Sequence, residues 1–363
     1  MFAKAQPNPN SLTRRSVLAG AASAALAAVI PGNNAAKAAP AKRRVPYGAA
    51  LEYQHFIDDP DYTALFVKHC DMIFPMNHLK FGLLQARQGE FNFLPAEGIV
   101  RFAERLDRTT YGHTFVWYAD VPGWVKQIDS AKLADQTLRD HIRTVAKRFN
   151  GRVPVWDVVN EVIAHDPLRE GPWRDGYWMR LLGPSHVNIA FAAAAESAPG
   201  AELAINDYDL EFRGARYDAR RQAMLDLVRR LQGRNLRIDT IGIQGHLYPE
   251  IPIADDEFGQ FIIDLKALGV GYRITELDVV DWKLPKNPTI RDEMAAEAVD
   301  GFLAAAFSAD LPRSLSTWGL SDRYSWISDV MPHRRGGKNR PLPFDDQLQP
   351  KPMHDVIQRY VAA

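Results

Sequence analysis

The chain has 363 residues, 46% hydrophobic and 24% charged, the usage of a folded protein with a sizeable core. Lysine plus arginine and aspartate plus glutamate both number 44, so no basic field speaks for a nucleic-acid partner. The single cysteine, Cys70, excludes an internal disulfide and any multi-cysteine metal or iron–sulfur site, and reads as a small buried hydrophobe.

In chain order, Thr13-Arg14-Arg15-Ser16-Val17-Leu18 is a twin-arginine pattern. It is followed by an alanine-rich apolar segment and the small-residue site Ala36-Lys37-Ala38. That segment is too short and too weakly apolar for a stable membrane span, which needs about 20 strongly apolar residues. Residues 1–38 are therefore expected to be a cleaved signal that engages the twin-arginine translocase and exports the chain, leaving 39–363 as one domain.

From residue 44 onward, apolar runs alternate with helix-period patterns. Strands are expected at 45–50, 72–74, 113–117, 155–160, 202–206, 240–244, 272–275 and 315–318. Between them, Ile99, Phe102, Ala103 and Leu106, and later Leu138, Ile142, Val145 and Phe149, repeat at helical spacing. Pro95 and Asp135 are expected near two helix starts, where a proline or an acidic residue suits the free amides. Eight such alternations predict an α/β fold of one domain, a (β/α)8 TIM barrel, with long loops at 164–183 and 281–288. An open doubly wound sheet lacks support, because no glycine-rich phosphate loop follows any strand.

In a parallel barrel, chemistry collects at the C-terminal strand ends. Val155-Trp156-Asp157-Val158-Val159-Asn160 delivers Glu161 there, and Tyr272-Arg273-Ile274-Thr275 delivers Glu276. Two carboxylates so placed suit acid/base or nucleophilic work. The other strand ends add Asn77, Lys80, His113, Trp117, Asn206, Asp207, Tyr208, Gln244, His246, Asp278 and Trp318. Amides, carboxylates and indoles in one pocket fit a neutral sugar, whose hydroxyls need donors and acceptors and whose C–H faces stack on rings. Trp156 and Trp326 read as core or supporting wall. No His/Asp/Glu cluster has metal-ligand spacing, and no cofactor fingerprint appears, so neither metal nor cofactor is expected.

These stretches, together with Trp318-Gly319-Leu320-Ser321-Asp322, Ser325-Trp326 and Pro341-Leu342-Pro343-Phe344-Asp345, resemble glycoside hydrolase family 10, the (β/α)8 xylanase family, from about Tyr47 to Tyr360. The resemblance implies a retaining double displacement on internal β-1,4 bonds of xylan, with Glu161 as acid/base and Glu276 as nucleophile. It also implies that His246 and Asp278 orient Glu276. Asn77, Lys80, His113, Trp117, Tyr118, Asn160, Tyr208, Gln244, Trp318 and Trp326 would bind a polysaccharide or oligosaccharide, and the enzyme would be a monomer. Departures from the family pattern cluster. Met76 stands where a sugar-binding glutamate is usual, His78 follows Asn77, and Tyr118 and Asp120 replace a histidine and a glutamine. Another β-linked glycan is therefore an alternative substrate, and an inactive carbohydrate-binding protein an alternative of a different class. An exported redox enzyme fits worst.

Overall fold

The computed structural model describes residues 44–362, so the expected signal segment lies outside the described residues. The barrel strands are β1 (Tyr47–Leu51), β2 (Met72–Pro75), β3 (Thr109–Gly112), β4 (Val155–Asn160), β5 (Glu202–Asp207), β6 (Thr240–Ile243), β7 (Gly271–Val279) and β8 (Leu315–Thr317). All pair in parallel with their sequence neighbours, and β8 closes the ring on β1 through Leu315 opposite Tyr47. Because helices cover the outside and side chains fill the inside, the strands read as continuous apolar runs. Every residue of β1, β2 and β4 is buried.

Seven of the eight expected strands appear within a few residues of their predicted bounds. The third is corrected: β3 is Thr109–Gly112, and the run 113–117 leaves the barrel wall, rejoining it only where Val116–Trp117 pairs with Val159 and Asn160. Phe115 N and Thr114 Oγ1 both donate to the Asp157 carbonyl, so side-chain burial, not ladder pairing, made this segment apolar. Gly112 belongs to the same corner, since a Cβ there would collide with the Trp156 indole.

Pro95 does open the helix Leu94–Arg105. The Asp135 expectation is corrected: that helix runs Ala131–Arg148 and is capped by Ser130, whose hydroxyl accepts from Leu133 N at 3.4 Å. Asp135 instead binds Arg139 one turn on, at 2.8 Å. The loop 164–183 carries two short helices, Pro167–Glu170 and Tyr177–Leu182. Besides a small cluster of Val280, Ile327 and Met331, two apolar regions result. The larger lies between sheet and helices and includes buried Cys70. The smaller, Ala50, Met72, Phe74, Met76, Tyr111, Val155 and Trp318, fills the barrel beneath the open end. Among the described residues, no helix is long and apolar enough to cross a membrane.

Candidate active site

Glu161 follows the last residue of β4, with φ at +55°, the left-handed region that β-carbon-bearing residues seldom occupy. Two backbone contacts hold it: its N–H donates to the Asn206 carbonyl at 2.8 Å, and Arg174 Nε donates to its carbonyl at 3.3 Å. Such a conformation costs on the order of 1–3 kcal/mol and persists where surroundings fix it. Here it turns the acid side chain back over the barrel mouth, toward Asn160 and Gln244.

Glu276 sits inside β7 and is buried. An amide chain joins the two carboxylates. Gln244 Nε2 donates to Glu161 Oε1 at 3.2 Å and Asn160 Nδ2 does so at 3.3 Å. Asn206 Nδ2 donates to Asn160 Oδ1 at 2.9 Å and to Glu276 Oε1 at 2.6 Å, while its own Oδ1 accepts from Thr275 at 2.6 Å. Every amide is thereby oriented by its neighbours.

His246 Nδ1 lies 2.8 Å from Asp278 Oδ1 and Nε2 lies 3.3 Å from Glu276 Oε2, while Trp326 Nε1 donates to the other Asp278 oxygen at 2.8 Å. Burial works against a charge on His246, but Asp278 and then Glu276 outweigh it, so the imidazole is held protonated, well above its ordinary range. Burial likewise favours a neutral Glu276. The His246 hydrogen bond and the charges of His113, His246 and Lys80 reverse that and hold the carboxyl below its usual range. Glu276 is thus an ionised, desolvated carboxylate facing the cleft.

His113 Nδ1 is 2.8 Å from Asp157 Oδ2 and 4.0 Å from Glu276, and its ring meets Trp318 edge-on at 5.1 Å. Lys80 Nζ donates to Asn77 Oδ1 at 2.8 Å and lies 4.7 Å from the Trp117 ring and 5.6 Å from that of Trp318. No carboxylate comes within 4.0 Å of that ammonium among the described residues, and burial pushes its pKa down. Tyr208 donates nothing to the pair directly; its hydroxyl accepts from Arg174 and lies 3.2 Å from His165. Tyr118 is the outlier of the predicted set. It is 37% exposed, and its ring faces the Arg174 guanidinium at 4.7 Å.

Three contributors escaped the sequence reading. Glu52, directly after β1, accepts from Asn77 Nδ2 at 2.7 Å and pairs with His78. Burial would raise its pKa, but the hydrogen bond and charge of His78, helped by Asn77, bring it below the ordinary value. The strand-end rule that located the other residues covers Glu52 as well. Asp157, which binds Tyr111 at 2.6 Å and His113, was legible only as a lone carboxylate inside an apolar run. Arg174 lies in the loop after β4, where no periodicity marks it. Among the described residues no cluster could hold a metal ion.

Two glutamates toward the C-terminal side of a closed parallel barrel, linked by amides and walled by tryptophans, define the class of (β/α)8 glycoside hydrolases. The chain belongs to glycosyl hydrolase family 10, whose description matches residues 35–360, and it is a xylanase-like glycoside hydrolase. Endo-1,4-beta-xylanase B of Thermotoga neapolitana is 29% identical over 316 residues, 86% of this chain and 87% of that one. An exoglucanase XynX of Acetivibrio thermocellus is 32% identical over 86% of this chain and 28% of its own length. Among solved structures, xylanase 10B from Thermotoga petrophila RKU-1 in complex with xylobiose superposes with a TM-score of 0.79 at 27% identity, covering 87% and 93% of the two chains.

Proposed function

We propose that this chain is an exported, monomeric endo-β-1,4-xylanase that cleaves by retaining double displacement. The observation that carries the reading is Glu276 itself: ionised, buried, braced by His246 and Asn206, and joined through amides to Glu161 across the barrel mouth at the end of β4. Glu276 attacks the anomeric carbon while Glu161 gives its proton to the departing glycosidic oxygen, and a glycosyl ester forms on Glu276. With the charge on Glu276 consumed, Glu161 takes a proton from water, which attacks the same carbon and frees Glu276. Asn160 reaches the sugar 2-hydroxyl, Trp117 and Trp318 give flat walls, and Asn77, Lys80, His113 and Gln244 serve the remaining hydroxyls. Tyr208 and Trp326 flank the adjoining sugars. The family's xylanases, and the xylobiose bound in the Thermotoga petrophila enzyme, support xylan as the substrate class.

A second reading keeps the mechanism and changes the glycan. Met76 is buried against Phe74, Tyr111 and Trp318, which places a thioether where a sugar-binding acceptor is expected, and one relative is an exoglucanase. Hydrolysis of xylan, xylo-oligosaccharides, cello-oligosaccharides and aryl β-glycosides separates the two, with NMR of the first product before mutarotation. Release of the α-anomer rules out Glu276 as nucleophile, and no hydrolysis of any of them leaves a binding protein. Export is tested by fusing residues 1–38 to a folded reporter; transport that survives Arg14→Lys with Arg15→Lys removes the twin-arginine assignment.

A further inference from the structure

Beyond Trp326, the loops after β7 and β8 meet on the same face of the barrel. Trp326 packs edge-on to His246 at 5.2 Å and shares an apolar cluster of Val280, Ile327 and Met331 with Tyr248 and Trp282. An aromatic line therefore runs from the histidine that braces Glu276 out to Trp282. There the chemistry changes from neutral to cationic. Arg334 lies 4.0 Å and Lys283 5.0 Å from the Trp282 ring centroid.

Six cations stand on 281–288 and 331–340 of these loops: Lys283, Lys286, Arg334, Arg335, Lys338 and Arg340. Three are neutralised, Lys283 by Glu250 at 2.5 Å, Lys338 by Asp346 at 2.5 Å and Arg340 by Asp292 at 2.7 Å. Lys286, Arg334 and Arg335 are exposed and have no carboxylate partner among the described residues, although acidic and basic side chains balance at 44 each over the whole chain. The backbone that carries them is fixed. Fully buried Asp281 accepts from Asn339 Nδ2 at 2.6 Å and from Arg340 N at 2.7 Å. Buried His333 reaches the Leu284 carbonyl at 3.0 Å, and Arg334 N donates to the Trp282 carbonyl at 3.0 Å.

We infer that Arg334 over Trp282, with Arg335 next to it in the chain and Lys286 on the loop it meets, form an accessory subsite for a carboxylate carried by the glycan, so that the enzyme favours chains bearing uronic acid substituents. The inference rests on the glycan reading of the cleft and deepens it. A planar guanidinium fork matches a carboxylate, and a patch of three free cations is too small to track a nucleic-acid backbone.

The test compares a uronate-substituted xylan with the same polymer after carboxyl reduction, using the full exported domain. Wild type is expected to show a kcat/KM about fivefold higher on the acidic polymer at low salt, a ratio that collapses at high salt. Arg334→Ala with Arg335→Ala removes that preference and leaves neutral xylo-oligosaccharides cleaved at the wild-type rate. Lys286→Ala weakens the preference in part. A wild type that ignores the carboxylates, a preference that survives the double variant, or an equal loss on both polymers overturns the subsite. Poly-glutamate bound by wild type as tightly as the acidic polymer, and lost equally in the double variant, overturns it too, because the patch is then a general anion binder. Affinity electrophoresis in the two polymers decides the matter even if no xylan is cleaved, in which case the functional reading fails separately.

Discussion

The mouth of the barrel has two halves that differ in how they treat substitution. Around Glu161 and Glu276 the amides of Asn160, Asn206 and Gln244 and the His246 imidazole are held by hydrogen bonds, and the residue types are those the family resemblance calls for. On the β2 and β3 side, Met76, His78 and Asp120 depart from it, and the polar ones among them bind neighbouring protein groups. Glu52 binds Asn77 and His78, and Asp120 Oδ2 accepts from Gly82 N at 2.7 Å. Proton transfer and nucleophilic attack need particular groups at particular atoms, whereas holding a hydroxyl needs only some acceptor within reach. The comparison predicts steep losses on the first half and shallow, reversible ones on the second.

The steepest loss belongs to the carboxylate pair. Glu161→Ala is expected to lower kcat on xylo-oligosaccharides by ~10²–10⁴, the usual range for general acid/base work. Azide should restore turnover of a dinitrophenyl glycoside, giving the β-azide, because that leaving group needs no proton. A loss that azide does not relieve would move the acid/base role away from Glu161.

Next comes the brace. Glu276 must be ionised to attack, and His246 heads the groups that hold its pKa below the ordinary value. His246→Asn therefore raises it, and the acid limb of the kcat/KM profile should move to higher pH, since a larger fraction of nucleophile is protonated at a given acidic pH. At the optimum, losing a charge-assisted hydrogen bond should lower kcat/KM about ten- to a hundredfold (~1.5–3 kcal/mol). An acid limb that stays in place means some other group limits it.

How much of this was readable in advance follows the same division. The tips of β4 and β7 announced themselves because a β-branched run ended in Asn160-Glu161 and Ile274-Thr275-Glu276, sequence and geometry agreeing at one place. The run 113–117 misled because hydrophobicity reports burial, and residues packed under Asp157 are as buried as residues in a ladder. Glu52 obeyed the strand-end rule but stood next to no other informative residue. Arg174 had no sequence signal, since what it does depends on how 164–183 folds back, with its guanidinium between the Tyr118 and Tyr208 rings at 4.7 and 5.3 Å.

Arg174 sharpens the comparison because it touches both kinds of residue. It holds the Glu161 carbonyl and at the same time stacks on the atypical Tyr118. Arg174→Ala should let Glu161 relax from its left-handed conformation, misplacing the acid. The expected sign is selective: about tenfold lower kcat/KM (~1.4 kcal/mol) on a substrate with a poor leaving group and little change on a dinitrophenyl glycoside. A parallel loss on both substrates would reflect packing alone.

The smallest effect is at Met76. In isolation, exchanging a hydrogen-bonding glutamate for a thioether should cost ~1.5–3 kcal/mol of sugar binding. Two features of the structure shrink the gain from Met76→Glu. Glu52 already offers a carboxylate to Asn77, and a second carboxylate close by would repel it; against that, Lys80 has no carboxylate partner and would acquire one. The balance is a gain of about threefold in kcat/KM on xylotriose (~0.7 kcal/mol), in the wild-type background. If Glu52 stands in for the missing acceptor, the gain from Met76→Glu must be larger when Glu52→Gln has removed the standing charge, and a double-mutant cycle reads that coupling directly. Tyr118→His, at a ring stacked on Arg174, should not couple to either. Equal gains in both backgrounds would mean that Glu52 supports the loop and leaves the sugar alone. No gain in either would place Met76 in the barrel packing with Phe74 and Tyr111, beyond reach of any hydroxyl, and the substrate preference would then have to be set from the Arg174 side of the cleft.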